Sequence, residues 1–274
     1  MKQSRYRPLF RVAFYALLLV LAQSVAGIAV VALHGGIDIL RNNPPAQADE
    51  LLLDLMDQYS TETLLVSYAL VFLVLLIIAL GKKQDPLAFA GFKHKTCPAL
   101  VLLGVGLGMA AVFWTSIAVA AIPWPRGWME TYGEAAAGLE TVHPWLDLLA
   151  VGIFGPLTEE VLFREKIYGN LCLAVPAGAA AVLQGILFGG VHGTAVWMIY
   201  AGFMGVLFGY VRKRTGSLWP CIAAHMSFNL GSYAVSWYLG GEGLDLTLVF
   251  VVSALALMLC LYGIAYRTRD AKKS

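Results

Sequence analysis

Residues 63–81 read TLLVSYALVFLVLLIIALG, a stretch without a single charged side chain. A helix needs about 20 consecutive apolar residues to cross the hydrocarbon layer of a membrane, and this stretch has nearly that length. In lipid the backbone has no water to bond, so a spanning segment must form its hydrogen bonds within itself. The stretch therefore predicts a transmembrane helix.

Seven further apolar runs surround this stretch, at 12–33, 97–124, 145–159, 171–191, 195–211, 218–239 and 246–266. The whole chain is 59% hydrophobic and 13% charged, whereas an ordinary soluble domain is roughly 45–50% apolar and about 25% charged. The sequence therefore predicts an all-α integral membrane protein, a bundle of about eight transmembrane helices. We expect one membrane domain over 1–274, with a core at 145–240 between the N-terminal helices and loops (1–144) and a last helix with a basic tail (241–274).

The distribution of charge predicts the orientation of this bundle. Lys and Arg collect at the N-terminus, in the 81–98 and 211–217 connections and in the C-terminal tail. The 34–62 and 125–144 connections are acidic instead, and a short amphipathic helix is expected over 49–59. Basic segments remain on the cytoplasmic side, so both termini are predicted to be cytoplasmic. The expected location is a plasma membrane, and the small size fits a prokaryote.

Charge and cysteine usage exclude other classes of protein. The net charge of +2 and the lack of a basic stripe argue against a nucleic-acid partner. The four cysteines lie far apart in or beside apolar runs and form no CxxC spacing. They are therefore interpreted as packing residues rather than metal ligands or redox groups.

The first polar exception to the apolar runs is GPLTEEVLFREKIYG, residues 155–169. Ionisable side chains within a membrane are costly and usually mark function. Glu160 and Arg164 are four residues apart on a helix and can pair on one face. Glu159 would then be an unpaired carboxylate, able to act as a general base. A purely structural salt bridge at the membrane boundary explains this segment equally well.

Two histidines supply the other exceptions, each with a partner four residues away. Phe188 and His192 share a helix face beside several glycines, and His225 and Asn229 share a face of a later helix. A His and an Asn together can bind water, an oxyanion or a metal. Each pair alone could equally be an interhelical packing contact.

Together, two carboxylates, two histidines and an amide are confined to the fourth, fifth and seventh helices of one bundle. A carboxylate base with two histidines suits the activation of water, with or without a metal ion. The zinc-protease HExxH spacing and the GxSxG motif do not occur in the sequence. The combination therefore predicts an intramembrane polar site that performs hydrolysis.

The three segments also resemble the motifs of a known family, the CAAX-processing and bacteriocin-processing (CPBP, or Abi) intramembrane proteases. Its motifs EExxxR, FxxxH and HxxxN/D are matched in order by Glu159–Arg164, Phe188–His192 and His225–Asn229. The resemblance implies an intramembrane endopeptidase whose substrate is a membrane-associated peptide, a prenylated CAAX-type protein, or a leader or pheromone peptide. Membrane lipid and a peptide or lipidated protein are the implied partners.

By the same resemblance, Glu159 would activate water with His192, and His225 and Asn229 would stabilise the oxyanion. Glu160 and Arg164 would orient the site, with Phe188 in support. The sequence leaves open whether a divalent metal such as zinc takes part. If it does, Glu159, His192 and His225 are its candidate ligands.

For these residues to meet, the fourth helix must continue past Glu159 to about Gly169. The turn at 192–194 must also lie below the membrane surface. We expect the four side chains of Glu159, His192, His225 and Asn229 within about 12 Å of one another, in an intramembrane cavity that opens toward the cytoplasm.

Two alternatives of other classes remain. A proton-coupled transporter also carries intramembrane carboxylates and histidines, although the sequence shows no inverted repeat. A non-catalytic immunity or scaffold protein could retain the architecture without the chemistry. Replacing Glu159 with Gln would separate a scaffold, which should keep its function, from an enzyme, which should lose it.

Overall fold

The structure is a computed structural model that describes residues 6–40, 48–137, 143–239 and 245–269. Helices form nearly all of these four ranges, and no strand occurs within them. The predicted all-α fold class is therefore confirmed. In chain order the regular α-helices are α1 (Tyr6–Leu40), α2 (Ala48–Gln58), α3 (Ser60–Gly81), α4 (Pro86–Phe89), α5 (Pro98–Ala121), α6 (Arg126–Ala137), α7 (Pro144–Leu149), α8 (Gly155–Glu160), α9 (Tyr168–Leu171), α10 (Ala177–Gly190), α11 (Ala195–Thr215), α12 (Trp219–Leu239) and α13 (Leu246–Arg267).

The fourth predicted span forms one continuous helical segment over 144–171, which we call the motif helix. Two π-helical stretches, Ala150–Phe154 and Val161–Ile167, join α7, α8 and α9 without a break. The expectation that this helix continues to about Gly169 is confirmed, because it ends at Leu171. Single π-helical turns often occur at functional sites, where they change the direction in which side chains point.

Five of the described helices are long and apolar enough to cross a membrane, namely Tyr6–Ile37, Ser60–Gly81, Pro98–Ala121, Ala195–Thr215 and Leu246–Arg267. The three remaining predicted spans are the motif helix, α10 and α12. These three carry all the polar residues of the predicted site. Helix α10 is apolar but shorter than the other spanning helices, with 14 residues.

The fifth helix differs from its predicted bounds. The apolar run begins at Leu171, but α10 begins only at Ala177. Pro176 explains the delay, because proline lacks an amide hydrogen and disfavours helical geometry in the residue before it. The 14 residues of α10 give a length of about 21 Å, which is less than the roughly 30 Å hydrocarbon layer. This short helix is compatible with the expected position of the 192–194 turn below the membrane surface.

Three connections contain helices of their own, and the 81–98 connection holds the short helix α4. The short helix expected over 49–59 is present as α2. The 125–144 connection begins with α6, which the sequence did not predict. Of the basic residues used to orient the chain, Lys2, Arg5, Lys272 and Lys273 lie outside the described residues.

The motif helix lies at the centre of the bundle. Val161, Leu162, Phe163 and Ile167 have no exposed surface, and they form the core with side chains from α1, α3 and α10. Helix α5 packs against α12 and α13, while α1 packs against α3. The outer helices leave many large apolar side chains uncovered, which suits contact with lipid tails. The candidate site is thus held by a helix with a fully buried stretch at Val161–Phe163.

Glycines bring α10 and α11 into backbone contact. A Cβ atom added at Gly189 would lie 2.4 Å from the carbonyl oxygen of Met198, and one added at Gly205 would lie 2.8 Å from Cα of Gly185. Small residues at such crossings allow helices in a membrane to approach closely. This approach holds Phe188 and His192, at the end of α10, against the centre of the bundle.

Candidate active site

A buried ion pair anchors the site inside the motif helix. Nη1 of Arg164 lies 3.1 Å from Oε1 of Glu160, and both side chains are completely buried. The Arg164 guanidinium also stacks over the ring of Phe188, with Cζ 4.4 Å from the ring centroid. The four-residue spacing in the sequence predicts this pair. Its complete burial within the protein shows that neither side chain of the pair is exposed on the surface of the bundle.

His225 on α12 joins this pair to the second glutamate. Its Nδ1 lies 2.8 Å from Oε1 of Glu160, and its Nε2 lies 3.7 Å from Oε2 of Glu159. A carboxylate only accepts hydrogen bonds, so Nδ1 of His225 carries a proton and donates it toward Glu160. This contact fixes the ring so that Nε2 faces Glu159.

Glu159 and Glu160 have different surroundings although they are neighbours in the chain. The side chain of Glu159 is 17% exposed, whereas that of Glu160 is 0% exposed. Adjacent residues on a helix differ in direction by about 100°. Glu160 consequently points into the packed centre, and Glu159 points into a cavity. This difference supports the predicted division of tasks, in which Glu159 is the reactive carboxylate.

His192 lies just beyond the end of α10. Its Nδ1 is 2.7 Å from the backbone carbonyl oxygen of Phe188. Because a carbonyl oxygen only accepts hydrogen bonds, Nδ1 must carry the proton, and Nε2 of the neutral ring keeps a free lone pair. The ring of Phe188 separates the two histidines, with its centroid 4.7 Å from that of His192 and 5.6 Å from that of His225. His192 therefore offers a hydrogen-bond acceptor to the cavity.

Asn229 lies one helical turn beyond His225 and also lines the cavity. Its Nδ2 donates a hydrogen bond of 2.8 Å to the carbonyl oxygen of Val151, in the first π-helical stretch of the motif helix. The amide nitrogen has two hydrogens, so one of them is still available after this bond. The bond also shows that Oδ1 of Asn229 is directed away from Val151.

These side chains share one large cavity of about 1440 Å³. Glu159, His192, His225 and Asn229 all contribute to its wall, together with Phe188. The remaining wall is mainly apolar, with side chains from α1, α3, α5, α11 and α13. The structure thus brings together the residues of all three sequence motifs. A concave, mainly apolar wall with a few polar groups is typical of a site that encloses an organic ligand.

The direction in which the cavity extends differs from the expectation. Its wall reaches Ile122 and Pro123 at the end of α5, Tyr132 on α6, and Leu246 at the start of α13. These residues lie at the end of the bundle opposite the basic connections, so the cavity extends away from the side on which the sequence predicts its opening. The physical reason is packing. The motif helix continues past Glu159, and fully buried Phe163 packs against Phe188 there, with ring centroids 5.0 Å apart.

Two residues of the site were not identified from the sequence. Tyr68 on α3 lines the cavity and lies close enough to Glu159 for the two side chains to interact electrostatically. Buried Gln184 donates a 2.6 Å hydrogen bond to the carbonyl oxygen of Gly205, which Arg164 also approaches. Gln184 could have been found as an amide inside an apolar run. Tyr68 gave no such signal, because tyrosine is common in membrane helices.

The fit of the site to a metal ion can be tested from its donor atoms. Among the described residues, no group of three or more His, Cys, Asp or Glu side chains is arranged to hold a metal. Nδ1 of His225 faces Glu160 and Nδ1 of His192 faces a carbonyl, which leaves one nitrogen of each ring. These two nitrogens and the carboxylate of Glu159 are the candidate donor atoms named from the sequence, and metal binding by them stays a prediction.

Comparisons with known proteins agree with the motifs. The family model described as Type II CAAX prenyl endopeptidase Rce1-like matches residues 141–231. A Bacillus subtilis (strain 168) protein named "Putative membrane peptidase YdiL" is 31% identical over 84 residues, which is 31% of this chain and 34% of that protein. The match thus spans about a third of the length of this curated relative. No solved structure matches the chain significantly.

The segment matched by the family model contains every site residue predicted from the sequence. It begins three residues before the motif helix and ends two residues after Asn229, so it includes all three motifs and the two histidines. The matched segment also contains both residues of the buried ion pair, Glu160 and Arg164. Residues 141–231, which hold all three sequence motifs, are therefore similar to the Rce1-like CAAX prenyl endopeptidases, in agreement with the resemblance of the motifs.

Proposed function

We propose that this protein is an intramembrane endopeptidase in which Glu159 activates a water molecule for attack on a peptide bond. One observation carries the proposal: the partly exposed carboxylate of Glu159 lies on a cavity wall that it shares with His192, His225 and Asn229. The family match of 141–231 and the likeness to a membrane peptidase support it. The substrate is a peptide or protein associated with the membrane.

In the proposed reaction, a water molecule binds between Glu159 and Nε2 of His192. Glu159 removes a proton while the water oxygen attacks the carbonyl carbon of the scissile bond. The new oxyanion accepts hydrogen bonds from Asn229 Nδ2 and, when the ring is cationic, from His225 Nε2. The proton held by Glu159 then passes to the leaving nitrogen as the C–N bond breaks, which gives one carboxylic acid and one amine.

Glu160 and Arg164 act indirectly in this proposal. Oε1 of Glu160 lies 3.1 Å from Nη1 of Arg164 and 2.8 Å from Nδ1 of His225. The same carboxylate oxygen therefore holds the guanidinium and the imidazole in place. Arg164 balances the charge of Glu160 in the packed centre. The pair thereby keeps Nε2 of His225 directed at the reacting atoms without touching the substrate itself.

The proposal is tested by cleavage of a panel of quenched peptides, lipidated and plain, with the protein purified in detergent. Glu159→Gln is expected to reduce kcat by about 10²–10⁴-fold, the usual contribution of a general base. His225→Ala should cause a loss of similar size. Glu130→Gln, at an exposed position on α6, is the matched control and should retain full activity.

Two further outcomes are informative. Activity that survives Glu159→Gln would refute the assignment of the base. A chelator should leave the rate unchanged, because the mechanism uses only side chains and water. Inactivation by the chelator, with recovery on addition of zinc, would instead show a metal enzyme.

A further inference from the structure

The hydroxyl group of Tyr68 lies against the turn of the motif helix that leads to Glu159. A Cβ atom added at Gly155 would be 3.0 Å from the hydroxyl oxygen of Tyr68 and 3.5 Å from its Cζ. Gly155 and Glu159 both belong to α8 and are four residues apart, so they lie on the same face of the helix. All three residues line the cavity. The phenol therefore approaches the motif helix on the face that carries the proposed base.

The side chain of Glu159 points toward this phenol. In an α-helix, side chains lean toward the N-terminus and cover the preceding turn. The carboxylate of Glu159 is thus directed back toward Gly155, and it lies close enough to Tyr68 for an electrostatic interaction. Glycine at position 155 leaves this approach open, since the Cβ atom of a larger residue would crowd the hydroxyl group.

The contact of Glu159 with His225 does not hold the carboxylate fully. Nε2 of His225 is 3.7 Å from Oε2 of Glu159, which is longer than a hydrogen bond. A carboxylate at a mainly apolar wall is costly without hydrogen-bond donors. The last torsion of a glutamate side chain is broad, so Oε1 can turn toward the hydroxyl of Tyr68. A carboxylate only accepts hydrogen bonds, and the phenol can donate one.

Tyr68 is itself held in place by packing. It is only 6% exposed, and it belongs to the buried core in which α1 and α3 pack against the motif helix. A closely packed ring keeps its hydroxyl group at a defined position. Tyr68 also lies outside the matched segment 141–231, so the N-terminal helices contribute to the candidate site as well.

Building on the peptidase function proposed above, we propose that Tyr68 is a positioning residue for Glu159. Its hydroxyl donates a hydrogen bond to Oε1, while Oε2 faces His225. The carboxylate is then held between α3 and α12, with a lone pair directed at the water molecule that it activates. Because Tyr68 acts through Glu159 and does not contact the substrate, it affects the chemical step rather than substrate binding.

The first test is the variant Tyr68→Phe, which removes only the hydroxyl group. Hydrogen bonds to charged groups are stronger than neutral ones, so kcat for the cleaved peptide should fall by at least about ten-fold. KM should stay at the wild-type value, because ground-state binding of the peptide does not use the phenol. A raised KM with an unchanged kcat would overturn the proposal and would make Tyr68 a substrate-binding residue instead.

Tyr15→Phe is the matched control for this measurement. Tyr15 on α1 is 4% exposed and belongs to the same buried core, but it is not among the described residues that line the cavity. Tyr15→Phe should therefore retain the wild-type kcat. Equal losses in the two variants would show a general effect of removing a buried hydroxyl, and would overturn the specific role of Tyr68.

Infrared difference spectroscopy of the protein without peptide tests the contact independently of cleavage. The spectrum of the wild type minus that of Glu159→Gln isolates the carboxyl band of Glu159, whose position depends on the hydrogen bonds to its oxygens. Tyr68→Phe should shift this band, and Tyr15→Phe should leave it in place. An unshifted band in Tyr68→Phe would overturn the proposal even if the protein is an active peptidase. A shifted band in a protein that cleaves no peptide would support the contact and refute the proposed function alone.

Discussion

At the scale of single residues, two adjacent glutamates have acquired different properties. Glu160 is fully buried and bonded, and Glu159 faces the cavity. A buried ion pair contributes little net stability, but removing one member leaves an uncompensated charge and costs about 3–5 kcal/mol. The pair therefore affects the stability of the protein most when one of its members is removed.

This reasoning predicts the behaviour of Glu160→Gln. The variant leaves the cation of Arg164 without its counter-charge in the packed centre, so the free energy of unfolding should fall by about 3–5 kcal/mol. Activity should fall as well, because His225 loses the carboxylate that orients it. Thermal unfolding in detergent, followed by tryptophan fluorescence, measures the first effect.

The matched control is the pair of Arg126 and Glu130, which has the same four-residue spacing on an exposed helix. Exposed ion pairs contribute only about 0–1 kcal/mol, so Glu130→Gln should hardly change the unfolding temperature. Similar unfolding temperatures for Glu160→Gln and the wild type would contradict the importance assigned to burial.

At the scale of elements, the contact between α10 and α11 sets the position of His192. Gly189→Ala would bring a Cβ atom to 2.4 Å from a backbone oxygen of α11, and this oxygen has no freedom to move aside. The helices must separate, which displaces Phe188 and His192. We expect a loss of stability of about 1–3 kcal/mol, typical of overpacking, and a fall in kcat of at least about ten-fold.

The next residue provides the control for this prediction. A Cβ atom added at Gly190 meets nothing within 4 Å. Gly190→Ala should therefore leave activity unchanged and should slightly stabilise the end of α10, because alanine favours helices over glycine by about 1 kcal/mol. If both variants behave alike in unfolding and peptide cleavage, close packing does not position the site.

The elements also show how far the sequence could predict the site. The pairing of Glu160 with Arg164 follows from helical periodicity alone, since both residues lie on one helix. The bond between His225 and Glu160 joins positions 65 residues apart, and only the packing of α12 against the motif helix creates it. Tyr68 was missed for the same reason, because its role depends on how α3 packs rather than on its neighbours in sequence.

At the scale of the whole molecule, the protein has two chemically different ends. The connections 82–97 and 212–218 are basic, and the cavity extends to the opposite end, where α6 lies. Basic connections remain on the cytoplasmic side of a membrane. The charge distribution and the cavity together predict that substrates reach the site from the non-cytoplasmic side.

Labelling of single cysteines in intact cells tests this orientation. In a background without other cysteines, Gly133→Cys places a thiol on the exposed face of α6, where a Cβ atom meets nothing within 4 Å. Native Cys97, which is exposed beside the basic 82–97 connection, serves as the matched site at the other end. A membrane-impermeant maleimide should label Gly133→Cys in intact cells, and Cys97 only after permeabilisation.

The opposite labelling pattern would place the cavity on the cytoplasmic side and would invalidate the use of basic connections to orient this chain. It would also change the class of accessible substrates, since a site open to the cytoplasm meets proteins before export. With the expected pattern, only chains that have been inserted into or moved across the membrane can enter the cavity.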